Sequence, residues 1–180
     1  SSWPDREIHL FGPGVDSGTY DYFTEAVVGK AHSSRGDYTS SEDDNVLVQG
    51  IANDELALGF FGLAYFEENK ARLRAVPIDD GKPENGEGAI APSAATVENG
   101  TYQPLARPLL VYVAKRALER GSVEGFMRAY VGGAKKAVRE VGYVPLPERA
   151  YELSRARLDA RTAGTLFGGK ATKAGVSIEA

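Results

Sequence analysis

No cysteine occurs in the chain, which removes disulfides, thiolate nucleophiles and cysteine-held metals together. Histidine is almost as scarce. His9 and His32 are the only two, too few for a histidine-rich zinc site and not at H-E-x-x-H spacing. No apolar run approaches the length of a membrane span, and no basic-plus-apolar leader opens the sequence. An excess of positive charge is also lacking: 21 basic residues stand against 25 acidic ones, a formal charge of −4 that speaks against a broad nucleic-acid surface but leaves room for one focused anion site. Nucleotide signatures are missing too. Neither the lysine nor the spacing of G-x-x-x-x-G-K-[ST] is present, and "GPGVDSG", 12–18, would need Ser17 to be the third glycine of G-x-G-x-x-G. "SEDD", 41–44, lacks the alternating ligands, central glycine and distal glutamate of a calcium loop.

What is present is enough apolar residue, 42% of 180, for one or two folded units. "IHLF", 8–11, predicts a short strand that runs into the turn "GPGVDSGT" and then a helix, with Tyr20, Phe23, Ala26 and Val27 at helical spacing. A polar segment, 30–45, ends in Ser41 and Asp44 at capping-box spacing, ahead of a helix burying Leu47, Val48 and Ile51. "ELALGFFG", 55–62, alternates Leu56, Leu58 and Phe60 as a strand would, and "LAYFEENKARL" predicts a helix after it. This alternation predicts an α/β unit over 1–78. Residues 79–103, rich in Gly, Pro, Asp, Asn and Ser, predict a loop or crossing. "RPLLVYV", 107–113, is the most strand-like run, with Pro108 near its beginning. Helices are expected over about 122–131, about 134–141 and from Glu148, and 170–180 as a peripheral extension.

The turn before the first helix carries the chemistry. Gly12, Gly14 and Gly18 let backbone amides approach a ligand, and Ser17 and Thr19 add hydroxyls beside a helix start, an arrangement that suits a tetrahedral oxyanion. The same residues also make an ordinary turn and N-cap. Asp16 would repel a dianion unless it caps amides, pairs with Arg35, or accepts a proton from the ligand. Arg35 offers a planar fork to oxyanion oxygens, or a surface pair with Asp37. A Ser17, His32, Asp37 triad for ester hydrolysis has no G-x-S-x-G frame around the serine. Tyr20, Tyr22, Phe23 and Tyr38 could stack a base or sugar, although core packing explains them more simply.

Taken in order, "LFGPGVDSGTYDYFTEAV", "SRGDYTSSEDDNVLVQGIANDELALGFFGLAYF", "VENGTYQPLARPLLVYV" and "EVGYVPLP" closely resemble the phosphate-binding substrate proteins of bacterial phosphate ABC importers, from about residue 8 to "TAGTLFGG" at 169. The resemblance implies a periplasmic-binding-protein-like α/β fold with phosphate held between two lobes. It assigns 1–78 to the second lobe, 79–103 to a crossover and 104–169 to the returning part of the first lobe. The remainder of that first lobe, with a second anion loop and a proton-accepting aspartate, is expected from an amino-terminal segment or a complementary chain. The family's phosphate contacts fall on Ser17, Gly18 and Thr19. Some members carry an arginine four residues before this serine, where this chain has Pro13, and Arg35 is the replacement donor expected. Asp16 is expected to organise the turn or Arg35, with Asp37, Ser40 and Asn45 as weaker orienting residues. The implied protein is a non-enzymatic, periplasmic or extracytoplasmic carrier of inorganic phosphate. It docks on an ABC permease when complete, and needs no metal, cofactor or nucleic acid. A phosphate sensor or scavenger without a transporter, a phosphate-ester hydrolase using Ser17, and an interaction module with an incomplete pocket are the competing readings.

Overall fold

A computed structural model describes residues 5–165. The chain divides between Pro77 and Ile78 into two compact units. The first contains β1 (His9–Gly12), α1 (Gly18–Val28), β2 (Thr39–Ser40), α2 (Asp44–Ala52), β3 (Ala57–Gly59) and α3 (Leu63–Asn69). Its strands form a parallel sheet in the order β2-β1-β3, with Phe11 opposite Thr39 and Gly59, and Gly12 opposite Ser40. Parallel pairing follows from connectivity, because each successive strand is reached through a helical crossover.

Both sheet faces are packed, each through a glycine. On one, α2 lies so close that a Cβ on Gly50 would sit 2.5 Å from the Phe11 ring, and a Cβ on Gly59 would sit 2.6 Å from the Ile51 methyl. Leu47 and Val48 of α2 are fully buried there, each stabilising the unit by about 1.5–3 kcal/mol. On the other face, Phe23 of α1 stacks on Phe60 with centroids 3.8 Å apart. The Phe60 ring fills the space 2.7 Å from where a Gly12 Cβ would be. The helical stripe expected on α2 is therefore present. The one expected on α1 is shifted, with Tyr20, Tyr22 and Thr24 buried and Val27 exposed. Thr24 is drawn inward because its hydroxyl donates to the Tyr20 carbonyl and accepts the His32 amide at 3.0 Å, pinning the loop after α1.

Three further expectations change. The capping box of Ser41 and Asp44 does not form: Asp43 caps α2, accepting the Asn45 amide at 2.9 Å, because α2 begins two residues later than the box requires. Ser41 instead accepts the Asp43 amide at 3.1 Å. The strand expected over 55–62 is three residues long, and Leu58, expected on its buried side, is 45% exposed on an edge strand. "RAVPI", 74–78, which the sequence offers as a short strand or a connector, forms no strand, although Ile78 makes a single antiparallel bridge with Ile90 in the second unit.

The second unit, described by itself, carries a 3-10 turn at Pro83–Asn85, α4 (Ala94–Glu98), a 3-10 segment at Lys115–Glu119, α5 (Gly121–Glu140) and α6 (Glu148–Asp159). α4 interrupts the expected loop, nucleated by reciprocal capping between Ser93 and Thr96. α5 replaces the two helices expected on either side of Gly132. The paired glycines face open space and keep their helical hydrogen bonds, so they weaken the helix without ending it. α5 packs on α6 around Met127, Ala150 and Tyr151. Charged pairs lace the rim, Arg128 with Asp159 and Glu124, and Glu148 with Lys135 and Arg155. The strand expected at 107–113 is absent: this run pairs with no strand among the described residues. The expected extension at 170–180 lies outside the described residues.

Candidate anion-binding turn

β1 ends at Gly12, and the chain turns at once into α1, so the turn lies beyond the carboxyl ends of parallel strands, where α/β sheets present ligand sites. Ser17 caps α1 from an extended conformation (φ −89°, ψ 127°), its Oγ accepting the Thr19 amide at 3.2 Å. The Ser17 carbonyl takes the Asp21 amide as the first helical bond. The amides of Gly18 and Tyr20 then have no partner among the described residues, as the geometry of a helix start requires. Neither does the Thr19 hydroxyl.

Three carbonyls at the start of the turn are engaged by the protein. Gly12 O accepts the Ser41 amide at 3.2 Å, Pro13 O the Tyr38 hydroxyl at 3.2 Å and Gly14 O the Ser17 amide at 3.1 Å. Burial pushes the Tyr38 phenol above its ordinary value, so it stays a donor. Tyr38 also stacks on Tyr20, whose hydroxyl meets Ser34 Oγ at 2.7 Å. The turn is thus held from the β2 side, with acceptors drawn away and N–H groups left at the helix start. That polarity suits an anion.

The other predicted residues divide by position. Ser40 lies opposite Gly12, and Asn45 lies in the first turn of α2, where its side chain donates to Asp43; both are at the same end of the sheet as Ser17. Arg35 and Asp37 are not gathered with them. They form a two-pronged exposed ion pair with each other. The parallel register carries residues before Thr39 back along β1, and Arg35 senses the charge of Glu7 there. Asp16 is exposed and makes no bond to Arg35, so the expected organising contact does not form. The Ser17, His32, Asp37 triad is likewise not assembled: His32 Nε2 faces Asp21 at 3.2 Å, and Asp37 is taken by Arg35.

Two carboxylates of the "SEDD" run, which the sequence suggests only as a helix end, lie at this end of the sheet, Glu42 against the turn and Asp44 beside Gly62. Glu42 lies against Gly14 so closely that a Cβ there would be 1.9 Å from its Oε1. Asp44 is held above the ordinary carboxyl range by burial, opposed by a hydrogen bond from the Gly62 amide. Their signal in the sequence was the acidic run itself, which helix-end preference explained without a ligand. A separate groove of about 460 Å³, lined by Glu7, His9, Asp37 and Asp54 among others, sits at the amino-terminal end of β1. Its acids make it a poor anion site. His9 and Asp54 meet there at 2.5 Å, a bond that lowers the Asp54 pKa. Among the described residues no group of three or more metal-ligating side chains converges, and no helix is long and apolar enough to cross a membrane.

No family model matches the chain. It is 47% identical over 179 residues to Protein SphX of Synechococcus elongatus, covering 99% of this chain and 51% of that protein. It is 35% identical over 153 residues to the phosphate-binding protein PstS of Staphylococcus haemolyticus, covering 84% of this chain and 46% of that protein. Among solved structures, a possible phosphate binding protein from Planctomyces limnophilus superimposes with a TM-score of 0.74 at 44% identity, over 90% of this chain and 56% of that one. The chain therefore spans about half the length of the relatives it matches, and over that half it shares the sequence and the α/β fold of the SphX and PstS phosphate-binding proteins.

Proposed function

We propose that this chain supplies one wall of a cleft for inorganic phosphate, in an extracytoplasmic binding protein that delivers its ligand to an ABC importer. The observation that carries the reading is the turn 12–19, where every carbonyl from Gly12 to Gly14 is engaged by the protein while the Gly18 and Tyr20 amides and the Thr19 hydroxyl are not. Ser17, Gly18 and Thr19 are the contacts; Ser40 and Asn45, at the same sheet end, orient the ligand from the side. Arg35 would have to leave Asp37 to take part, so its contribution is smaller than that of the turn. Binding requires no covalent step. It needs hydrogen-bond donors and exclusion of water, and the second wall comes from the part of the longer protein that this chain does not span.

One wall alone leaves phosphate hydrated on its other side. Each missing buried partner costs about 1–3 kcal/mol, or roughly one to two powers of ten in affinity. The test is a phosphate titration of the chain followed by amide NMR. Saturable shifts centred on Gly18, Thr19 and Tyr20 at millimolar phosphate, reduced several-fold in Thr19→Ala and little changed in Arg35→Ala, are the expected result. Shifts centred elsewhere, or an Arg35→Ala effect exceeding that of Thr19→Ala, would remove the turn from the role.

A further inference from the structure

We infer that Asn99 is a site of self-modification: attack by the Gly100 backbone nitrogen converts its side-chain amide to aspartate and isoaspartate, and the fold directs this reaction to Asn99 and away from Asn85. The inference is independent of the phosphate reading.

The tripeptide Glu-Asn-Gly occurs twice, at 84–86 and at 98–100, each time at the end of a short helix in the second unit. Glycine after asparagine lacks the Cβ that would keep its backbone nitrogen away from the side-chain carbon, so the local sequence makes both asparagines candidates. Their surroundings differ. Asn85 and Gly86 are half-buried, and Asn85 Nδ2 donates to Asp80 Oδ2 at 2.6 Å. A Cβ on Gly86 would stand 2.8 Å from the Ile90 methyl, so little room is left beside that residue for a ring to close. Asn99 and Gly100 are exposed, and nothing lies within 4 Å of where a Gly100 Cβ would be. Asn99 Nδ2 has no partner among the described residues, which leaves it free to depart into water.

The second distinction is electronic. Asn99 Oδ1 accepts the Thr101 amide at 3.0 Å and the Thr101 hydroxyl at 2.7 Å. The Gly100 nitrogen, having given its proton to a solvent base, bonds to Asn99 Cγ, and the carbonyl electron pair moves onto Oδ1. Two donors already stand there at the distances that stabilise a developing oxyanion. The pair then returns, the Cγ–Nδ2 bond breaks, and Nδ2 takes up a proton and leaves as ammonia. Water opens the resulting succinimide at one carbonyl or the other, giving aspartate or isoaspartate. One water is consumed and one ammonia released, with no change of oxidation state. Each attacking amide must give up one bond, Gly100 to Val97 O at 3.2 Å and Gly86 to Pro83 O at 3.1 Å, so that cost does not separate the sites. Donors on Oδ1 do, because Asn85 Oδ1 has none among the described residues.

Isoaspartate adds a methylene to the main chain and moves the acceptor away from Thr101. The Tyr102 amide, one residue further on, bonds Thr96 O at 2.9 Å, so the modification loosens the exit from α4.

The experiment is incubation of the full chain in mildly alkaline buffer, with peptide mass mapping of both Glu-Asn-Gly sites over time and isoaspartate detected by enzymatic methyl labelling. In the folded chain Asn99 should convert about tenfold faster than Asn85, and in urea the two rates should converge. Thr101→Val, which removes the hydroxyl donor, should slow Asn99 by about fivefold, whereas Thr101→Ser should keep the parent rate. Asp80→Ala, which frees Asn85 Nδ2, should speed Asn85. The Asn85 rate in each Thr101 variant reports whether the fold is retained, and the parent's own two rates, in buffer and in urea, decide the matter if a variant does not fold. Equal rates at the two sites in the folded chain, a difference that persists in urea, or an Asn99 rate unmoved by Thr101→Val would each overturn the inference.

Discussion

At Ser17 one hydroxyl closes the start of α1 and is also the proposed phosphate contact, so its removal confounds two effects: Ser17→Ala forfeits about 1 kcal/mol of capping as well as any contact with the proposed ligand. Thr19 is the cleaner probe because its hydroxyl bonds nothing among the described residues. Glu42 acts in the opposite sense. Its carboxylate lies over Gly14, next to a turn that is to receive an anion, and like charge there works against binding. Glu42→Gln should tighten phosphate several-fold at low ionic strength and less at high salt, read from the same amide titration; unchanged binding would place Glu42 outside the ligand's field. Asp44 offers a stability test. Its folded pKa is raised by burial, so the ionised form is disfavoured by folding. The contribution is neutral below the unfolded value of about 4, where the group is protonated in both states, and stability is lost as pH rises through the folded value. Asp44→Asn, which keeps an acceptor for the Gly62 amide, should raise the melting temperature at pH 7 and match the parent at pH 3. Asp54 has the opposite sign. Its lowered pKa makes the His9 bond stabilising above about pH 4 and lost as pH falls through the folded value, so a His9→Ala deficit should shrink in acid.

Among the elements, α2 and β3 show how little tolerance the first unit has. A Cβ on Gly59 would meet the Phe11 carbonyl at 2.7 Å and the Ile51 methyl at 2.6 Å, and neither belongs to a freely moving chain end. Gly59→Ala should cost roughly 1–3 kcal/mol in urea denaturation, while Gly36→Ala, in open space, should cost far less. These contacts also explain what the sequence disclosed. α2 was legible because Leu47, Val48 and Ile51 recur at helical spacing, and the helix's own placement on the sheet buries the first two and half-buries the third. The strand over 55–62 was overextended, since the Leu56, Leu58, Phe60 alternation does not reveal that pairing with β1 ends at Gly59. α4 was hidden by its brevity and by the glycines and prolines around it, although Ser93 and Thr96 carried its capping signal. The turn was legible as a helix start preceded by glycines. The role of Tyr38 was not, because a hydroxyl reaching 25 residues back to Pro13 leaves no local pattern.

For the whole molecule, the largest gap between sequence and structure is 107–113, the most strand-like run and yet one without a sheet. Local preference for a strand is strong there, but a ladder depends on partners that no local pattern supplies. The turn 12–19 differs, since its helix start is complete within the described residues. Exposure of Leu109–Val113 also gives the isolated chain a colloidal liability. Five successive residues without charge, proline or glycine, rich in β-branched and aromatic side chains, meet the sequence description of an aggregation-prone segment, with Arg107 and Pro108 before it and Lys115 and Arg116 just after Ala114 as its only gatekeepers. Light scattering of the free chain should rise steeply with concentration and temperature, and Val111→Lys should suppress it without changing the melting temperature. In the free chain this segment is therefore a ready substrate for chaperones and for fibril growth.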